Sequence, residues 1–184
     1  MNKKYTTLSK KKTSFKTLIF WLAIGAITLF CIIFVIVKFQ INRKVNSYDS
    51  LDNIKGNQVF TIGAQTDTYL VFVYSSSGEK ESEYDDFDKL MFNYITYSKK
   101  HGDLAGVYKI YGFDIDNPEN KKAIISSTGS KKESVSDVEQ IDDLRIYSEN
   151  VPMLLVISGN VVDDYKDSDN AISGYLQDIM DANK

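Results

Sequence analysis

One cysteine, one histidine and an uneven supply of positive charge set the first limits on this 184-residue chain. A lone Cys31 rules out an internal disulfide, a cysteine zinc site and a two-thiol redox centre. A lone His101 rules out a His-rich metal site within the chain. Acidic residues are missing from positions 1–44, which hold nine of the 22 Lys+Arg. The other 13 share positions 45–184 with all 25 Asp+Glu, a net charge of −12 there. That balance argues against nucleic-acid binding, because phosphate contacts need clustered Lys and Arg. No Asn-x-Ser/Thr acceptor occurs, and Ser75 to Ser77 have no G-x-S-x-G setting, so a serine nucleophile is not expected. No cofactor is implied.

Charge is also missing from the 21 positions Thr17 to Val37, which are almost entirely apolar. At ~1.5 Å per residue this run spans ~30 Å, the hydrocarbon thickness of a bilayer, and Lys16 and Lys38 bracket it. A cleaved signal peptide would carry a shorter apolar run of ~7–15 residues and a small-x-small site after it; Lys38-Phe39-Gln40-Ile41 offers none. Residues 17–37 are therefore expected to form a transmembrane helix. Six Lys and no acid precede it, so the positive-inside rule places residues 1–16 as a cytoplasmic basic tail and the remainder outside. Cys31 follows Phe30 inside the span and is read as a small apolar side chain rather than a lipid attachment point.

Residues 38–57 are polar and read as a tether, and residues 58–184 as one extracytoplasmic α/β domain. Val59–Ile62 suits a short first strand. Tyr69–Tyr74 is an unbroken apolar and aromatic run, the pattern of a central parallel strand buried on both faces. Tyr84, Phe87, Leu90, Met91, Tyr94 and Ile95 recur at helical spacing toward His101 and Gly102. Ala105–Ile115 reads as a strand, Glu119–Ser126 as a short helix and 127–143 as a surface excursion. Met153–Ile157 and Val161–Tyr165 flank the turn residues Gly159 and Asn160. Ile172, Tyr175, Leu176, Ile179 and Met180 mark a last helix, capped by Ser168 or Asp169.

Two segments carry a family likeness. Val71-Phe72-Val73-Tyr74-Ser75-Ser76-Ser77 runs into a helix, and Val151-Pro152-Met153-Leu154-Leu155-Val156-Ile157 runs into a hairpin. With the order of elements, this resembles the thioredoxin-like fold over about residues 58–184, and within it the bacteriocin transport accessory proteins of Gram-positive bacteria. The resemblance implies a central sheet flanked by helices, and a C-x-x-C motif whose positions fall here on Gly78 and Glu81. Without thiols there, disulfide exchange is not expected, and the chain is read as a non-enzyme. The family's cis proline falls on Pro152; the alternative is that Pro152 merely starts an edge strand. The implied groove is bordered by Ser75, Ser76, Ser77, Gly78 and the residues up to Lys80 on one side, and by Val151 and Pro152 on the other.

The expected role is a redox-inactive binding or accessory protein of the cell envelope, with a protein or peptide partner beside an export machine. The alternatives are a peptide-sequestering immunity factor and a thiol relay that borrows a partner's cysteines. The acid run from Glu79 to Asp88 lacks the order of a calcium loop and reads as a solvated helix start. Asp114, Asp116 and Glu119 read as a strand-end turn. Asp163, Asp164, Asp167 and Asp169 read as a hairpin surface, and His101 as a helix C-terminus. Tyr147 and Tyr165 are the tyrosines left for a partner surface.

Overall fold

The computed structural model describes residues 14–42, 44–63, 67–77 and 86–183. It divides into two units, one up to Ile41 and one from Asn42 onward. The first is a single helix, α1 (Phe15–Asn42). Residues Phe15–Phe39 are long and apolar enough to cross a membrane, and none of the qualifying stretch is buried within the protein. At ~1.5 Å per residue these 25 positions cover about 37 Å. The helix thus runs a few residues past both ends of the span read from the sequence.

The second unit is built on a mixed five-stranded sheet. Its strands are β1 (Asp52–Asn53), β2 (Thr68–Tyr74), β3 (Ile110–Asp114), β6 (Met153–Ser158) and β7 (Val161–Lys166), in the order β1-β3-β2-β6-β7. The pairs β1/β3 and β2/β3 are parallel; β2/β6 and β6/β7 are antiparallel. Alternation along β2 explains its unbroken apolar run. Leu70, Phe72 and Tyr74 face one core with Met91, Tyr94 and Ile95 of α2 (Asp86–His101) and Ile172 and Leu176 of α3 (Asp169–Asp181). Tyr69, Val71 and Val73 face the other core with Phe113, Met153, Leu155 and Ile157. A strand wet on one face would alternate with polar residues.

The two faces are covered differently. α2 and α3 lie side by side on the first. Among the described residues no α-helix covers the second. Its cover is a 3₁₀ turn at Gly56–Phe60 and the long segment between β3 and β6. That segment holds a 3₁₀ turn at Lys121–Ala123 and a two-residue parallel ladder of β4 (Ile124–Ile125) with β5 (Ile146–Tyr147). Val135, Val138 and Leu144 are buried from it. Val138 and Asp137 also reach β7: Val162 N–H donates to the Val138 carbonyl and Asp137 N–H to the Val162 carbonyl, each at 2.9 Å.

Val59–Ile62 is not the first strand. Gly56 sits at φ +42° and gives its N–H to Asn120 Oδ1, which turns the chain into a 3₁₀ step that buries the adjacent pair Val59 and Phe60. The first strand is Asp52–Asn53, inside the stretch read as a tether. Leu51 and Ile54 are 5 % and 2 % exposed, so the folded unit begins well before residue 58. Ala105–Ile115 pairs only over Ile110–Asp114, because Gly106 at φ +82° bends the chain ahead of it. Glu119–Ser126 is one 3₁₀ turn and a two-residue strand rather than a helix. The 127–143 excursion is exposed along most of its length, yet it supplies the apolar residues that close the second core.

Candidate functional site

Parallel strands β2 and β3 finish at the same end of the sheet, and it is outside the carboxyl ends of their strands that open α/β sheets commonly hold ligands. The loops that follow them are therefore neighbours, although about 40 residues separate them in sequence. Asp114 accepts the Ser76 hydroxyl (2.7 Å) and the Ser76 N–H (3.2 Å). Asp116 accepts the Ser75 hydroxyl and the Ser77 N–H, both at 2.8 Å. The strand-end acids thus fasten the serine loop in place. The Ser77 N–H, helped by the Ser75 hydroxyl, holds the Asp116 carboxyl below its usual value of 3.8.

That depression carries a sign. A carboxylate whose folded pKa is lowered contributes stability above its unfolded pKa and loses it as pH falls through the folded value. Asp116→Asn should therefore differ from the parent at neutral pH and converge with it below about pH 4. Acid titration of both proteins by circular dichroism checks this; a gap that persists unchanged to pH 2 would exclude a role for the carboxylate charge.

Ser75 also opens onto a cavity of about 290 Å³ lined by Tyr48, Tyr74, Phe87, Asp88, Val151, Pro152 and Asp169. Each wall has a local cause. Tyr48 opens a short 3₁₀ turn after Ser47; its ring packs on Phe72 (5.2 Å between centroids), Tyr74 (5.3 Å) and Phe92 (5.0 Å), and its hydroxyl donates to Asp88. Phe72 stacks on Tyr74 at 5.7 Å and lies 6.2 Å from Phe87. The Tyr74 hydroxyl donates to Asn53 Oδ1 at 3.0 Å, and burial pushes its pKa up. Phe87 and Asp88 belong to the first turn of α2, and Asp169 begins α3. The Val151–Pro152 bond is cis and leads directly into β6.

No family model matches this chain, and no curated protein matches it. The site is read from its own residues.

Ser75, Val151 and Pro152 line the same cavity. Ser76 and Ser77 turn to the strand-end acids and do not line the cavity. Gly78 and Glu81, the degenerate motif positions, lie outside the described residues, as does the acid run from Glu79 to Asp85. His101 ends α2, its ring tilted by 37° against that of Tyr97 with centroids 4.6 Å apart. It is about 20 Å along the helix from Asp88, at ~1.5 Å per residue. Tyr147 and Tyr165 are both partly buried, and Tyr165 packs against the second core. Among the described residues, no three His, Cys, Asp or Glu side chains gather where they could hold a metal ion. The lining was only partly legible: Tyr48 stands in a stretch read as a tether, and Asp88 and Asp169 read as ordinary helix-start acids. The one signal available was that both helices start with acids.

Proposed function

We propose that the chain is a membrane-anchored, redox-inactive accessory protein of a Gram-positive cell envelope, binding an extended peptide segment of a partner beside an export machine. On this reading residues 1–16 face the cytoplasm, α1 crosses the membrane and a thioredoxin-like domain lies outside. The orientation is supported by the six lysines ahead of the span. The thioredoxin-like reading draws support from β2 leading toward α2, the parallel strand β3, and a Val-Pro step into the β6/β7 hairpin and α3. The absence of cysteine from positions 32–184 favours binding over thiol chemistry. The observation that carries the proposal is the cavity where Ser75, at the end of β2, meets Val151 and Pro152 ahead of β6.

Chemical cross-linking in native membranes, with a tag placed after Lys184, is the test. It should recover an integral transporter or secretion subunit in fixed ratio, and deletion should abolish export of that system's peptide. Recovery of no membrane partner with export intact overturns the proposal. Loss of producer self-protection with export intact also overturns it, in favour of peptide sequestration.

A further inference from the structure

We infer that the corner of the folded unit around the C-terminal end of α2 docks on the headgroups of an anionic bilayer, with Lys44, Lys99 and Lys100 as its charges and Leu104 as its apolar tip. This rests on α1 crossing a membrane, one part of the reading above, and is independent of the peptide groove. Little chain separates the span from the domain. The apolar stretch ends at Phe39 and the helix continues to Asn42. Val45 already belongs to the folded unit: its N–H donates to Thr96 Oγ1 of α2 at 3.1 Å, and its side chain packs on the first core. Three helical steps of ~1.5 Å and three extended ones of ~3.5 Å give a reach of ~15 Å from Phe39 to Val45. The headgroup layer takes up ~5–8 Å of that. What remains is about one Debye length, ~8 Å at physiological salt, so charges around Thr96 feel the headgroups.

Those charges are positive. Lys99 and Lys100 lie three and four positions after Thr96, on the same side of α2 one turn further on, and Lys44 precedes Val45. All three are exposed. Lys99 donates to the uncharged Ser50 carbonyl at 2.8 Å and keeps its full charge. The acids bordering this corner are Asp49, beside Ser50, and Asp103. The rest of the unit is acidic, with a net charge of −12 over residues 45–184, and the neighbouring α3 exposes Asp178 and Asp181. An anionic surface therefore attracts this corner and turns the remainder away. Apolar character adds to charge here. Among the described residues, the exposed large hydrophobic side chains lie in α1 with one exception, Leu104. It sits in the turn after α2, where its N–H donates to the His101 carbonyl at 3.0 Å. A leucine beside lysines suits the boundary between headgroups and acyl chains, with the stems of the lysines lying along it. A protein partner would need ~800 Å² of matched surface, whereas a lipid surface needs no shape match.

The test uses the full chain in nanodiscs with Cys31→Ser, so that one introduced thiol carries a bimane dye at Leu104→Cys or at Glu139→Cys. Glu139 is exposed next to Val138, on the segment covering the other face of the sheet. Discs of phosphatidylglycerol and of phosphatidylcholine contain the same fraction of lipid spin-labelled at the headgroup, which quenches on contact. The dye at position 104 should lose most of its emission in phosphatidylglycerol and keep it in phosphatidylcholine. Salt at 1 M, where the Debye length falls to ~3 Å, should restore the emission, and so should Lys44→Glu with Lys100→Glu. The dye at position 139 should stay bright throughout. A bright dye at position 104 in phosphatidylglycerol overturns the docking, as does equal quenching at positions 104 and 139. Equal quenching in the two lipids, or quenching unchanged by the charge reversal, overturns the role of the lysines and with it the proposal. In all these cases the chain stays with the discs through gel filtration, and the span stands. A chain that separates from the discs has no span, and both readings fall.

Discussion

Phe72→Ala should lower the stability of the folded unit by about 4 kcal/mol, within the range measured when buried aromatics are truncated. Phe72 is 1 % exposed and meets Tyr48, Tyr74 and Phe87, three walls of the cavity. Against a total domain stability of about 5–15 kcal/mol, such a loss leaves a marginal fold. Any protein that survives should bind peptide poorly, because the three rings lose the support beneath them. Denaturant unfolding followed by tyrosine emission is the measurement: eleven of the twelve tyrosines lie beyond residue 45, whereas Trp21 belongs to α1 and would report on the helix instead. Leu104→Ala, at a residue 40 % exposed, should cost well under about 1 kcal/mol. If the two variants cost the same, the Phe72 ring is not enclosed as described.

Asn120→Ala should cost about 3 kcal/mol, a large effect for a change of so little volume. Asn120 is fully buried and ties three segments together. Its Oδ1 accepts the Gly56 N–H (2.8 Å), and its Nδ2 donates to the carbonyls of Asp114 (2.9 Å) and Ile54 (3.3 Å). Alanine leaves all three backbone groups without that partner, and each unmade buried bond costs on the order of 1 kcal/mol or more. Asn120→Asp sharpens the test. The carboxylate keeps the Gly56 bond but faces two carbonyl oxygens, and burial with that repulsion raises its folded pKa. A raised folded pKa means that stability is retained below the unfolded value and lost as pH rises through the folded one. The aspartate variant should therefore come closest to the parent near pH 4 and fall furthest behind at neutral pH. A pH-independent deficit would mean that the side-chain amide is not the tie.

Asn120 also shows why part of this fold was not legible in the sequence. Its role depends on Ile54 and Gly56, some 65 positions upstream. Periodicity captured what repeats locally: the uncharged run of α1, the two-sided strand β2, the stripes of α2 and α3, and the β6/β7 hairpin about Gly159 and Asn160. It failed where chain without a period covers the second face of the sheet. Val135, Val138 and Leu144 come from chain that forms no helix or named strand, yet they close a core. Val59 and Phe60 looked like strand residues because a 3₁₀ turn against a sheet also buries adjacent apolar side chains. The site divides the same way. Ser75, Val151 and Pro152 stood out in local motifs. Tyr48, Asp88 and Asp169 did not, because only the strand order brings their elements to one end of the sheet.

The borders of that sheet bear on how the protein behaves in a crowd. Molecules held in one membrane are concentrated in two dimensions, where an open β-edge would recruit a neighbour's and start an aggregate. Here one border is only two residues long, Asp52 and Asn53. At the other, Val162 spends both its N–H and its carbonyl on Val138 and Asp137, and the exposed carboxylates of Asp163 and Asp164 follow. A two-residue strand at one side, and at the other a strand whose Val162 is already hydrogen-bonded and whose next two side chains are exposed carboxylates, discourage growth by strand addition.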